Sequence, residues 1–183
     1  MKKSNLSFKF VFVGDSSVGK SCLIKRIVRN QYQNIHDVTT TTNKVSTFVR
    51  VQKQDAEISI YDTPGQSVFR ATTISACRDM DCLVIVFDLS NHITFESVEN
   101  WKKDLNLSDN ITIAIVGNKK DQDSKSFNSN GKSFAEQHGY LYFEVSALSG
   151  ENTKEMFQSC VADAYLKMNG NQEKKTEKSK CYI

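Results

Sequence analysis

Apolar and polar positions alternate between two periods along this chain. Phe8 to Val13 is a nearly continuous apolar run, broken only by Lys9, the pattern of a strand buried on both faces. Ser21 to Val28 follows as a helix. Asn30 to Thr42 is polar and irregular. From Lys44 to Val51, valines and a threonine alternate with Lys44, Ser46, Phe48 and Arg50, as in a half-exposed strand. A turn at Lys53-Gln54-Asp55 leads into Glu57–Tyr61, and the pair predicts an antiparallel hairpin at a sheet edge. Leu83–Leu89 and Ile111–Val116 are rich in β-branched residues and predict central parallel strands. Phe95–Leu105 and Gly131–His138 predict helices. Near the end, Met156, Phe157, Cys160, Val161, Ala164, Tyr165 and Met168 form one apolar helical stripe, a core face rather than a site.

Alternating β and α elements imply an α/β fold: a six-stranded, mostly parallel sheet with one antiparallel edge strand and helices on both faces. Ligands of such sheets bind beyond the carboxyl ends of the strands. The chemistry-bearing motifs sit there.

Gly14-Asp15-Ser16-Ser17-Val18-Gly19-Lys20-Ser21 fits the phosphate loop G-x-x-x-x-G-K-[ST], placed between a strand and a helix, with Cys22 next in line. Glycines let the backbone wrap phosphate oxygens, and N–H groups at the helix start point at the anion. Lys20 is expected to reach the β- and γ-phosphates and Ser21 to ligate Mg²⁺. The plain alternative is a glycine-rich turn that binds nothing. Asp62-Thr63-Pro64-Gly65-Gln66 follows another strand. Asp62 is placed to hold Mg²⁺ through a water, Gly65 to meet the γ-phosphate, and Gln66 to orient an attacking water; otherwise Gln66 is an ordinary loop residue.

Asn118-Lys119-Lys120-Asp121 adds the base. A carboxylate at Asp121 can accept from guanine N1–H and the 2-amino group. Adenine offers neither, and would leave that acceptor unpaired. The Lys119 stem can cover one face of the base. Ser146-Ala147-Leu148 closes a further strand. A surface turn is the plain alternative for Asn118–Asp121. Thr39 is the candidate sensor of the γ-phosphate and a Mg²⁺ ligand, although Thr40, Thr41 and Thr42 leave the register open. Tyr32 is suited to meet the base edge-on.

Composition narrows the picture little. The 183 residues make one domain, and a net charge of +3 with 25 % charged residues is no signature of a nucleic-acid binder. Four Lys and two Glu lie in 169–183, so most of the surplus charge is in that segment. Five cysteines, at 22, 77, 82, 160 and 181, show no metal spacing, and without a signal peptide they are expected as reduced cytosolic thiols. No run approaches the ~18 apolar residues of a membrane span.

These motifs resemble those of the Ras-superfamily small GTPases, nearest the Rab branch, over about Lys9 to Met168. The wording of 14–21 is Rab-like. So are Phe69-Arg70, Thr94–Val98 with Trp101, and Ser146–Asn152. The resemblance implies a GTPase domain at 1–168, a flexible hypervariable tail at 169–183, and a GTP/GDP cycle with Mg²⁺. It implies an exchange factor, a GTPase-activating protein, and effectors that read Gln33–Val51 and Gln66–Met80. It also implies a monomer in vesicle traffic, cytoplasmic and peripheral to the cytosolic face of an intracellular membrane.

Departures accompany it. Rabs usually have Ile-Gly where this chain has Thr40-Thr41, and Tyr-Tyr-Arg-Gly-Ala where it has Ala76–Met80. The usual Asp-Thr-Ala-Gly-Gln carries Pro64 here, a residue that translational GTPases tolerate. Lys180-Cys181-Tyr182-Ile183 is one residue short of C-a-a-X, yet Cys181, near the end of a lysine-bearing tail, is the candidate for prenylation. Two alternatives stand beside a GTPase switch: a guanine-nucleotide scaffold that hydrolyses poorly, and an ATP-using enzyme such as a nucleotide kinase, against which Asn118 and Asp121 argue.

Overall fold

The computed structural model describes residues 6–32, 38–105, 107, 110–122 and 128–180. Its elements are β1 (Leu6–Val13), α1 (Lys20–Arg29), β2 (Asn43–Val51), β3 (Gln54–Asp62), α2 (Arg70–Ala76), β4 (Cys82–Asp88), α3 (His92–Asp104), β5 (Thr112–Asn118), α4 (Asn128–His138), β6 (Leu141–Glu144) and α5 (Thr153–Lys180). Short 3-10 turns at Ser67–Phe69 and Lys120–Gln122 precede α2 and follow β5.

The six strands form one sheet in the order β2-β3-β1-β4-β5-β6. Only β2 runs antiparallel, paired to β3 from Asn43↔Asp62 to Val51↔Gln54. The expected six-stranded sheet with one antiparallel edge strand is what the chain forms. β4 and β5 are buried at every residue, which is why they are unbroken apolar runs.

Strand alternation divides the core into two layers. Phe8, Phe10 and Phe12 face α1 and α5, packing with Leu23, Ile24, Met156 and Phe157. Val11 and Val13 face the other way, toward Val98 and Trp101 of α3 and Ala135 of α4. Each buried phenylalanine contributes about 2 kcal/mol of transfer free energy. β1 is therefore pinned on both faces up to its last residue, and the loop that leaves it at Gly14 starts from a fixed platform. The strand order reverses between β1 and β4, which opens a crevice at their carboxyl ends.

Four details differ from the sequence reading. α2 has no apolar periodicity in Arg-Ala-Thr-Thr-Ile-Ser-Ala and was not expected; it is held by burial of Thr73, whose hydroxyl donates to the Pro64 carbonyl. The hairpin turns at Gln52-Lys53 rather than Lys53–Asp55, with Gln52 at φ 53°, because Val51 pairs with Gln54. β2 begins earlier, at Asn43, where it pairs with Asp62. α5 runs on to Lys180, through most of the segment separated above as a tail, whose lysines and glutamates are strong helix formers. Cys181, and the 33–37 part of the expected effector region, lie outside the described residues.

Candidate functional site

The phosphate loop departs from ordinary backbone geometry three times: Gly14 at φ 139°, Ser17 at 64° and Gly19 at 93°. A Cβ on Gly14 would lie 2.1 Å from the Val86 carbonyl oxygen of β4, so only glycine lets the chain turn there. The turn delivers Lys20 as the first residue of α1. Its side chain is buried, and Nζ donates to the Gly14 and Asp15 carbonyls at 2.8 Å each. An ammonium has three donors, so this lysine braces the loop and still has a proton for an anion. Burial pulls its pKa down to about 8, against the opposing charges of Asp62 and Asp15.

Three oxygens meet at the next residue. Ser21 Oγ donates to Asp62 Oδ2 at 2.6 Å and lies 3.1 Å from Thr39 Oγ1. The other Asp62 oxygen is buried with no hydrogen-bond partner among the described residues. Burial pushes this carboxyl above its ordinary range, although Ser21 and Lys20 oppose the shift. Two hydroxyls and a half-satisfied buried carboxylate form a hard, anionic oxygen set that fits Mg²⁺. Among the run of four threonines, Thr39 is the one that reaches Ser21; Thr40 and Thr41 are exposed.

Beyond Asp62 the chain is fastened twice. Thr63 Oγ1 donates to the Phe12 carbonyl at 2.6 Å, and Thr73 Oγ1 donates to Pro64 at 3.2 Å. Gly65 lies against the phosphate loop: a Cβ there would come within 2.5 Å of the Asp15 carbonyl and the Ser16 nitrogen. Gln66 is exposed and opens the 3-10 turn. It does not line the cleft described below.

At the base end, Asn118 is buried and has both ends of its amide engaged. Nδ2 donates to the Val18 carbonyl at 2.9 Å, and Oδ1 accepts from the Ala147 N–H at 3.1 Å. Asn118 thus clamps the phosphate loop to the loop after β6, and with one bond at each end its amide keeps a second N–H for a base in the cleft that it lines. Asp121 Oδ1 accepts from Ser146 Oγ. Lys119, at φ 65°, pairs with Asp88 Oδ2 at 2.6 Å, which holds its stem along the cleft.

These loops enclose a cleft of about 410 Å³. Ser16, Ser17, Gly19, Lys20, Ser21 and Cys22 line its phosphate end, with Thr39 and Gly65. Asn118, Lys119, Asp121, Ala147 and Leu148 line the base end, and Tyr32 stands at the rim, 38 % exposed. The remaining residues expected at the site stand behind this wall. Gly14 and Val18 shape the loop, Ser146 buttresses Asp121, and Asp15 accepts from the indole N–H of Trp101 at 3.2 Å. Val38 and Gln122 line the cleft without having been singled out from the sequence. Asp88 was also missed, although its signal was present: like Asp62, it is a carboxylate that ends an apolar strand.

A model of the Ras family matches residues 9–166. The chain belongs to the Ras family. It is a small GTP-binding switch protein, and the family is one of GTPases that bind guanine nucleotide, typically with Mg²⁺, and interact with exchange factors, activating proteins and effectors. The match spans β1 to α5, so the phosphate loop, Thr39, Asp62, Asn118 and Ser146 fall inside it. The cleft divides accordingly, with Lys20 and Ser21 at the phosphate and metal end and Asp121 with Ala147 at the guanine end.

Proposed function

We propose that this protein is a Rab-like switch. It hydrolyses GTP slowly by itself, recruits effectors in its GTP state, and acts in vesicle traffic at the cytosolic face of an intracellular membrane. The carrying observation is the meeting of Ser21, Thr39 and Asp62 within 3.1 Å. One hydroxyl at the head of α1 joins the segment before β2 to the last residue of β3, where the segment carrying Gly65 and Gln66 begins. Both segments border the expected effector surfaces, Gln33–Val51 and Gln66–Met80, so a ligand at this corner acts on both at once.

Mg²⁺, when bound, neutralises charge that develops on the β- and γ-phosphate oxygens. Lys20 supplies a further positive charge, and Gly65 an N–H close to the phosphate loop. Gln66 is the side chain available to orient water once the loop carries it inward. Among the described residues, no arginine lines the cleft. Slow intrinsic turnover, and a partner that supplies the missing cation, follow from that arrangement.

A second reading, a guanine-nucleotide scaffold that hydrolyses poorly, is favoured by the exposure of Gln66 outside the cleft and by the fastening of Pro64 to Thr73. Single-turnover hydrolysis by the full chain separates the two. A slow rate that a cell extract accelerates, and that Gln66→Leu abolishes while leaving nucleotide binding intact, supports the switch. A rate that neither changes supports the scaffold. Turnover of the isolated protein near 1 s⁻¹, of the order of activated rates, removes the need for an activating partner. Pull-down on Gln66→Leu loaded with GTP identifies the effectors.

Membrane attachment rests on Cys181, with a geranylgeranyl group as the proposed modification. A single chain gives marginal, reversible binding, so the protein partitions between cytosol and membrane. Intact-mass measurement on protein from its native cells tests this, and an unmodified Cys181 in the membrane fraction removes the lipid from the account.

A further inference from the structure

Arg26 lies in the last turn of α1, away from the phosphate loop at the helix start, yet it holds the base loop. Its Nε donates to the Ala147 carbonyl at 3.0 Å, one terminal nitrogen donates to the Leu148 carbonyl at 2.6 Å, and the other donates to the Asn30 carbonyl at 3.1 Å. Ala147 and Leu148 line the guanine end of the cleft. Gly150, at φ 87°, turns the same loop against the arginine stem, and a Cβ there would lie 3.6 Å from Arg26 Cδ and Nε.

We propose that Arg26 is a positioning residue for guanine recognition and retention, a role that rests on the guanine-nucleotide reading of the cleft. The fork of a guanidinium is planar and rigid, so two donors on consecutive carbonyls fix two consecutive peptide planes. The orientation of the Ala147–Leu148 backbone in the cleft wall is thereby set from behind. With Asp121 placed for the N1–H and 2-amino edge, the C6 oxygen of guanine needs a donor, and the wall offers the backbone N–H groups of Ala147, shared with Asn118 Oδ1, and of Leu148. Loosening the loop therefore costs recognition at C6 and leaves the phosphate end, built on Lys20 and Ser21, in place.

The third bond extends the role. Asn30 is the left-handed C-cap of α1 and leads directly to Tyr32 at the cleft rim. One guanidinium thus ties the base loop to the start of the segment that carries Thr39.

The test compares wild type, Arg26→Ala and Arg26→Lys as full chains with Mg²⁺. It reads GDP dissociation and the affinity ratio of GDP to 2-aminoadenosine diphosphate, which keeps the 2-amino group, exchanges the C6 oxygen for an amine and lacks the N1–H; Asp121 is the same in all three proteins, so the loss at N1 cancels when their ratios are compared. Arg26→Ala is expected to release GDP about tenfold faster and to lower that ratio by a similar factor, as for loss of a charged hydrogen-bond set. Arg26→Lys, which keeps the charge but not the fork, is expected to fall between, and it serves as the readable variant if alanine impairs folding. Unchanged GDP release, or equal weakening of both nucleotides, overturns the proposal. A wild-type protein that retains no guanine nucleotide overturns the reading beneath it, an outcome visible before any variant is made.

Discussion

The guanidinium of Arg70 stacks 3.8 Å from the ring centroid of Trp101, and the indole N–H of that ring donates to Asp15 in the phosphate loop. Arg70 is the first residue of α2, immediately after the segment that carries Gly65 and Gln66, and its Nε also reaches Asp104 Oδ2 at 2.5 Å. α3 thus bridges the segment that carries Gly65 and Gln66 to the phosphate loop. A partly buried stack of this kind is worth about 1–2 kcal/mol, enough to bias a mobile segment.

Trp101 is the chain's only tryptophan, so its fluorescence reports this bridge directly. Exchange of GDP for a non-hydrolysable GTP analogue is expected to change the emission of the wild type. Arg70→Ala is expected to shift the emission to the red, as water reaches the ring, and to remove most of the nucleotide-dependent change. Wild-type emission that is identical in both nucleotide states would show that the stack does not move with the switch.

Asp121 and Asn118 are expected to fail differently. Asp121→Ala removes the acceptor for the guanine edge and lowers the preference for GTP over ATP by at least about tenfold, taking roughly 1.5–3 kcal/mol for a charged hydrogen bond. Asn118→Ala unclamps the phosphate loop from the base loop, because both ends of its amide bind protein backbone. It weakens both nucleotides and lowers thermal stability. Competition binding with GTP and ATP, alongside melting curves, distinguishes the two patterns. Loss of selectivity in Asn118→Ala without loss of stability would show that direct base recognition, rather than the clamp, is its main role.

The sheet was legible because its strands are buried on both faces. Phe8–Val13, Leu83–Leu89 and Ile111–Val116 are apolar runs for the same reason that they are central. The phosphate loop, Asp62 and Asn118–Asp121 were legible because their chemistry needs those residue types at the ends of those strands. α2 was not, since nothing in Arg70–Ala76 repeats at a helical period and its hold on the body is Thr73 on Pro64. Arg26 and Trp101 act through contacts across the fold, to Leu148 and Asp15 respectively, and such contacts leave no local pattern. The clamp role of Asn118 was hidden for a related reason: the motif fixes where the amide sits, while its partners Val18 and Ala147 come from two other loops.

Lys20 gives the cleft a pH dependence of definite sign. Its pKa in the folded protein, about 8, is below its ordinary 10.5. Between those values the unfolded chain binds a proton that the folded protein does not, so stability of the nucleotide-free form rises with pH across that window. Below pH 8 the lysine is charged in both states, and the burial penalty, about 3 kcal/mol, is present in full. Phosphate oxygens pair with the ammonium and raise its pKa in the complex, so binding takes up a proton above pH 8. GDP affinity is therefore expected to be level near pH 7 and to fall toward about tenfold per unit above pH 8. Lys20→Arg, which stays charged throughout, is the comparator and should lack this component of the slope. Equal pH profiles for the two proteins would show that Lys20 does not titrate in the free cleft.

Pro64 sets the mobility of the residues beside the phosphate. Its ring fixes φ near −65° and removes one N–H, immediately before the glycine whose path must stay close to Asp15 and Ser16. Its carbonyl is tethered to Thr73, so both sides of the residue are restrained. Gln66, two positions on, points to solvent. Pro64→Ala lifts the first restraint, and intrinsic single-turnover hydrolysis is expected to rise severalfold as Gln66 gains access to the cleft. Thr73→Val lifts the second while leaving the proline in place. If restraint is what limits the rate, the two variants act in the same direction and the double variant exceeds either. An unchanged or lower rate in Pro64→Ala would mean that the proline is neutral or holds Gly65 where the reaction needs it, and a gain from Thr73→Val alone would place the limit in the tether rather than in the ring.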